Sequence, residues 1–193
     1  MFKDTIFLLS LLVSVLFANG SQASSVYLEA QTGALMGVGH VSLGVGISER
    51  HFVSVGVGYV PKLSSHAEMS LYSFKYRYQN PASWNFELPN GAKFSVLPFN
   101  IGFSYLLGYD DALYFDLPDQ YPSEYYAPTG KRIVFNYQPI VRLNTNLELY
   151  VDFSILDVGL IGYVREPDFF YENYDFLGLS GITTWGAGMR YQF

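Results

Sequence analysis

Long stretches of the chain alternate between apolar residues and small polar ones. In FVSVGVGYV, Val53, Val55 and Val57 would share one face of an extended segment, and Ser54 and Gly56 would share the other. The stretches MSLYSFKYRYQ, SVLPFNIGFSYLL and LELYVDFSI repeat this alternation with larger side chains. A period of two is typical of β-strands whose two faces meet different surroundings. The alternation predicts eight strands, over residues 25–35, 38–48, 52–63, 69–79, 92–107, 131–142, 147–158 and 181–193.

The chemistry of the two faces indicates which one points outward. The polar face carries mostly Gly, Ser, Thr, Asn and Gln, whereas a sheet surface in water would carry more charges. The other face is large and aromatic, as a lipid-facing band should be, and it includes Leu97, Phe99 and Ile101. Strands of about 10 residues are long enough to cross a bilayer when tilted. The pattern therefore predicts an all-β fold, an eight-stranded antiparallel up-and-down transmembrane β-barrel with a polar, side-chain-filled lumen.

Seven charged residues within the predicted strands support this orientation, because they fall on the inward face. On a lipid face, Arg or Lys near the bilayer midplane would cost about 2–4 kcal/mol each. Inside the barrel, acids and bases can pair across strands. We expect a mutually paired polar network, formed by Glu29, Lys75, Arg77, Arg142, Glu148, Asp152 and Arg190, that holds the barrel together and fills its lumen.

The connections between predicted strands differ in length and chemistry. Two turns on the expected periplasmic side, SERH and LNTN, are short, and the third, NPASWNFELPNG, is longer. On the opposite side, the loops at about 108–131 and 159–178 are long, acidic and rich in tyrosine. Loops held on a rigid scaffold are where binding usually resides, so these loops predict recognition of an extracellular ligand. The candidate recognition residues are Asp110, Asp111, Asp116, Asp119, Tyr121, Glu124, Tyr125 and Tyr126.

Composition narrows the class of protein further. Hydrophobic residues make up 50% of the chain and charged residues 15%, which excludes a disordered protein. The net charge of −6, without any run of Lys or Arg, argues against nucleic acid as a partner. The chain has no Cys, so disulfides and thiol chemistry play no part. The opening MFKDTIFLLSLLVSVLFANGSQAS predicts a cleaved secretory signal peptide over residues 1–23, which leaves residues 24–193 as the barrel.

The last strand carries the most specific family signal. Its outward-facing positions are Trp185, Ala187, Met189, Tyr191 and Phe193. With this ending, the chain resembles the small eight-stranded outer-membrane β-barrel proteins of Gram-negative bacteria, the OmpA/OmpX type. The resemblance implies a bacterial outer-membrane location among lipid and lipopolysaccharide, and recognition of the last strand by the outer-membrane assembly machinery. It also implies that the last strand pairs with the first, and we expect a monomer.

Three kinds of function remain open. The first is a non-catalytic role, either in envelope structure or in surface recognition through the two long loops. The second is hydrolysis of lipid A acyl chains, because GHVSLG places His40 and Ser42 on one strand face, with Glu29 on the neighbouring strand. The lipid A 3-O-deacylase family similarly pairs a His with a Ser two residues later and a distant Glu. In that family the motif lies late in the chain, faces lipid and is followed by Asn, whereas Leu43 follows here.

A small-solute pore is a third alternative, which the narrow lumen of an eight-stranded barrel disfavours. His51 and His66 have no companion at metal-ligand spacing, so the sequence predicts neither a metal site nor a cofactor.

Overall fold

The computed structural model describes residues 25–62, 68–109, 130–172, 174 and 178–193. The predicted signal peptide at residues 1–23 lies outside this part of the chain. So do the eight candidate recognition residues between Asp110 and Tyr126.

The described residues form strands that pair only in antiparallel fashion. The strands are β1 (Val26–Gly33), β2 (Gly39–Gly46), β3 (His51–Val60), β4 (Met69–Gln79), β5 (Trp84–Glu87), β6 (Lys93–Leu97), β7 (Asn100–Tyr109), β8 (Lys131–Tyr137), β9 (Ile140–Arg142), β10 (Leu147–Leu156) and β11 (Thr183–Gln192). In the described residues between the last two strands, there are three short helices, α1 (Asp157–Arg165), α2 (Pro167–Glu172) and α3 (Leu179–Ile182).

The sheet closes on itself as a barrel of eight strands. β11 pairs with β1 on one side and with β10 on the other, so the first and last strands are neighbours. β6 and β7 together make one barrel strand, β8 and β9 make another, and β5 extends β4. The predicted up-and-down topology is confirmed. We call the end that carries residues 47–50 and 143–146 the turn end, and the end that carries α1 to α3 the helix end.

The barrel has apolar side chains outside and polar side chains inside. Leu28, Val57 and Phe153 are exposed, whereas their neighbours in sequence or across the sheet, such as Glu29 and Asp152, are almost fully buried. This distribution is the reverse of that in a water-soluble barrel. Among the residues that the structure describes, no helix is both long and apolar enough to cross a membrane.

The predicted outward orientation of the Leu97 side chain is wrong, because the fifth barrel strand contains a bulge. Leu97 lies opposite Ile140 and Ile101 lies opposite Tyr137, so the first strand has one residue more than its partner between these pairs. An extra residue shifts the side-chain alternation by one position. Leu97 therefore points inward and is only 3% exposed, whereas the uninterrupted alternation places it in lipid.

Asn100 repairs the hydrogen bonding at this bulge. Its Nδ2 atom donates to the carbonyl oxygens of Leu97 and Gln138, at 2.8 Å each. Its Oδ1 atom accepts a hydrogen bond of 3.1 Å from the backbone nitrogen of Asn80. The prolines at 98 and 139 have no N–H to give to the ladder, so a buried side chain links the three strands here instead.

Two connections are more ordered than the sequence indicates. The long turn NPASWNFELPNG contains β5, which forms a hairpin with β6. This hairpin continues the pairing between β4 and β7, with the register shifted by one residue. The predicted loop at 159–178 begins as the helices α1 and α2. Asp157 in the first turn of α1 and Arg165 in its last turn both suit the helix dipole, and helices this short show little periodicity in sequence.

Candidate functional site

The middle of the lumen is built around the carboxylate of Glu29. In the register of β1 and β11, Glu29 lies directly opposite Arg190. The Nε and Nη2 atoms of Arg190 donate to Glu29 Oε2 at 2.9 and 2.6 Å. From the other side, Lys75 Nζ donates to Glu29 Oε1 at 2.6 Å. Glu29 is only 2% exposed, so this is a fully buried cluster of one acid and two bases.

A second carboxylate, Glu148, extends the cluster towards the turn end. The Nη1 atom of Arg190 donates to Glu148 at 3.0 Å, so one guanidinium group bridges the two acids. Arg142 donates to the same carboxylate through Nε and Nη2, at 3.1 and 2.7 Å, and Arg77 approaches it at 3.4 Å. Each glutamate therefore has at least two cationic partners, which offset the cost of burying it.

The third acid of the predicted network, Asp152, is satisfied by neutral groups. It accepts hydrogen bonds of 2.7–3.1 Å from four side chains, namely Gln31, Asn136, Gln138 and Ser154. Gln31 also accepts from Lys75 Nζ at 2.6 Å, which connects this group to the ion-paired cluster. All seven charged residues of the predicted network thus lie inside the barrel, within hydrogen-bonded groups.

Aromatic rings fill the space beside these charges. The guanidinium carbon of Arg77 lies 4.3 Å from the ring centre of Phe52, and that of Arg190 lies 4.7 Å from the ring centre of Tyr150. The cavity left between Glu29, Lys75 and the arginines measures about 10 Å³, which is room for roughly one water molecule. The middle of the lumen is therefore filled by its own side chains.

Towards the helix end, the lumen is closed by an apolar group. Met36, from the turn between β1 and β2, is fully buried against Leu106 and Val134. The turn reaches inward through four residues with left-handed backbone, Gly33, Ala34, Leu35 and Gly37, at φ values of 75°, 51°, 65° and 89°. Residues with a side chain seldom adopt this conformation. Sequence reasoning missed Met36, although the glycines on both sides of it in TGALMG mark an unusual turn.

The alternative catalytic residues do not form a nucleophile–base pair in the structure. Ser42 donates to Glu29 Oε1 at 3.3 Å, and that oxygen also accepts from Lys75. His40 Nε2 lies 2.7 Å from the hydroxyl of Ser73, not of Ser42. His40, Ser42 and Glu29 are all buried in the lumen, away from the outer surface of the barrel. The arrangement does not favour hydrolysis of a lipid substrate.

The helix end presents a cluster of aromatic side chains. Phe170 is buried between Tyr163 and Tyr174, with ring centres 5.3 and 5.8 Å away, while Tyr163, Tyr171 and Tyr174 are themselves exposed. Asp157 fixes the start of α1 by accepting a hydrogen bond of 3.1 Å from the backbone of Ile133 in β8. Tyr163 and Tyr171 are thus carried on α1 and α2, and α1 is tied to the barrel wall.

The predicted assembly signal lies on the outer face of β11 and at the residue that follows it. Its five residues, Trp185, Ala187, Met189, Tyr191 and Phe193, are all exposed. The backbone nitrogen of Phe193 donates to Val26 at 2.9 Å, so pairing with the first strand continues to that residue. Recognition by an assembly machinery stays a prediction. Within the described ranges, no three His, Asp or Glu side chains are placed to hold a metal ion.

Comparisons with known proteins add little to this picture. No protein-family model matches the chain, and no curated protein does. Among solved structures, it is similar to the N-terminal β-barrel domain of Pseudomonas aeruginosa OprF, with a TM-score of 0.43 and 11% identity over 88% of this chain and 97% of that one. At this score and identity, the similarity carries no argument about family or function.

Proposed function

We propose that the protein is an integral barrel of the bacterial outer membrane, with a non-catalytic role in envelope structure or surface recognition. The observation that carries this proposal is the reversed distribution of side chains. Large apolar residues such as Ile101, Phe153 and Met189 are exposed around the barrel, while the ion-paired cluster is buried. In water this exterior would be a large unpartnered apolar surface, whereas in lipid it is solvated.

Closure of the sheet supports the same proposal. Backbone N–H and C=O groups without partners cost several kcal/mol each in hydrocarbon, so only closed barrels can cross a membrane with strands. The pairing of β11 with both β1 and β10 removes the edges that an open sheet would leave. The filled lumen argues against a role as a solute pore.

Surface recognition would reside at the helix end. Tyr163, Tyr171 and Tyr174 offer exposed aromatic area on an ordered base, beside the acidic loop that the sequence places at the same end. Tyrosine supplies contact area at little entropic cost, which suits a binding surface for an extracellular ligand. We propose this end as the outward-facing side of the barrel.

Single-cysteine labelling tests both the location and the orientation, because the chain has no cysteine of its own. Tyr171→Cys should react with a membrane-impermeant maleimide on intact cells. Ser48→Cys, in the turn between β2 and β3, is the matched control and should react only after the outer membrane is permeabilised. Labelling of Ser48→Cys alone on intact cells would reverse the orientation. Recovery of the protein in the soluble fraction would refute the proposal.

A further inference from the structure

At the turn end, β5 and β6 form a hairpin that extends past the neighbouring turn. The backbone nitrogen of Gln79, at the end of β4, bonds to Arg50 in the turn between β2 and β3, at 2.8 Å. β5 begins five residues later along the chain. Eight residues separate Gln79 from Glu87 at the end of β5, and a strand rises about 3.3 Å per residue, so Glu87 lies at most ~26 Å beyond that turn.

The hairpin has one aromatic face and one polar face. Trp84 pairs with Val96 and Phe86 pairs with Phe94, and the last two rings stack with centres 5.1 Å apart. On the opposite face, the hydroxyl of Ser95 donates to Asn85 at 2.7 Å, and Lys93 lies 3.5 Å from Glu87. A hairpin surrounded by water would gain nothing from concentrating its aromatic residues on one exposed face.

The aromatic face points in the same direction as the lipid-facing wall of the barrel. The ring of Trp84 meets the ring of Phe99 edge to face, with centres 6.5 Å apart. Phe99 is 54% exposed and leads directly into Ile101 on the outside of β7. The bulge that turns Leu97 inward leaves Val96 and Phe94 on the outer side. The apolar wall is therefore continuous from β7 onto the hairpin.

We propose that this hairpin is an interfacial anchor, whose aromatic face lies at the boundary between headgroups and acyl chains of the leaflet at the turn end. This inference rests on the proposed function, since it requires the barrel to stand in a membrane. Trp is favoured at that boundary, and the polar face with its Glu87–Lys93 pair then faces water. Because the extension is confined to the β4–β7 side, the anchor fixes the depth and tilt of the barrel.

The two tryptophans of the chain, Trp84 and Trp185, allow a direct test. Trp185→Phe leaves Trp84 as the reporter, and Trp84→Phe leaves Trp185, which lies on the outside of β11 near the helix end. Each variant is refolded in phosphatidylcholine vesicles that carry bromine either near the headgroup or near the middle of the acyl chain. Bromine quenches tryptophan on contact, and folding is checked by the heat-dependent mobility of the barrel on gels.

We expect shallow bromine to quench Trp84 as strongly as it quenches Trp185. Phe86→Ser should shift Trp84 emission to longer wavelength, whereas Asn85→Ser, on the polar face of the same strand, should leave it unchanged. Quenching of Trp185 alone would overturn the anchor and leave the proposed function standing, and quenching of neither would refute both. If neither bromine nor aqueous iodide quenches Trp84, and the protein also crosslinks as a dimer, the hairpin contacts a second copy of the chain and the anchor is refuted.

Discussion

Removing the charge of Glu29 is the perturbation whose effect the structure defines most sharply. In Glu29→Gln, the geometry is nearly kept, but Lys75 and Arg190 lose the acid that both contact at 2.6 Å. Breaking a buried ion pair from one side costs about 3–5 kcal/mol, because a charge is left without compensation. Arg190 keeps Glu148 at 3.0 Å and Lys75 keeps Gln31 at 2.6 Å. We therefore expect the lower part of that range, about 3–4 kcal/mol of unfolding free energy.

Arg142→Gln is the matched control for this effect. It also breaks an ion pair of 2.7 Å, but the Arg142 side chain is 36% exposed, whereas that of Arg190 is 4% exposed. Pairs that water reaches contribute about 1 kcal/mol or less. Glu148 keeps Arg190 when Arg142 is lost. Each variant is refolded in lipid vesicles and unfolded with urea. Tryptophan emission and mobility on gels then give the unfolding free energies of Glu29→Gln and Arg142→Gln.

The double variant Glu29→Gln, Lys75→Met separates charge from shape. If uncompensated charge is the cause, removing the base as well should restore part of the lost stability, so the double variant should be less destabilised than the sum of the single ones. Equal losses for Glu29→Gln and Arg142→Gln, or a loss below about 1 kcal/mol for Glu29→Gln, would show that burial does not set the strength of these pairs.

Further predictions concern the filling of the lumen and its chemistry. Met36→Ala should lower the unfolding free energy by about 2–5 kcal/mol, because it empties a buried site at the helix end; urea titration measures this. Gly188→Ala should cost about 1–3 kcal/mol, since the new Cβ would meet the Tyr150 ring, whereas Gly39→Ala meets nothing within 4 Å and should be neutral. Ser42→Ala should leave the lipid A of producing cells unchanged by mass spectrometry, relative to the parent protein; loss of an acyl chain that depends on Ser42 would restore the hydrolase hypothesis.

The period-two pattern carries most of the fold, because lipid outside and a narrow lumen inside impose opposite chemistry on successive residues. The same pattern places Glu29 and Arg190 on the inward side. It does not reveal that they pair, since they are 161 positions apart and meet only when the barrel closes. Their register becomes known from the ladder between β1 and β11.

The remaining differences arise where one residue changes the geometry. The bulge before Asn100 reverses the facing of Leu97, and the proline at 98 is the one local signal of it. Burial of Met36 depends on left-handed backbone at Ala34 and Leu35, which those residue types do not predict. The segment around Trp84 is too short to show a clear strand pattern. Its hairpin becomes visible only from the pairing of β5 with β6 in the structure.

Accessibility of the outer face of the barrel to oxygen and to a water-soluble reagent shows whether that face lies in lipid. Spin labels attached through Ile101→Cys, Phe103→Cys and Val151→Cys occupy exposed positions on β7 and β10. After refolding in vesicles, oxygen, which concentrates in lipid, should relax all three labels more strongly than a water-soluble nickel chelate does. Stronger relaxation by the nickel chelate at all three positions would place the apolar face in water and refute a membrane-spanning barrel.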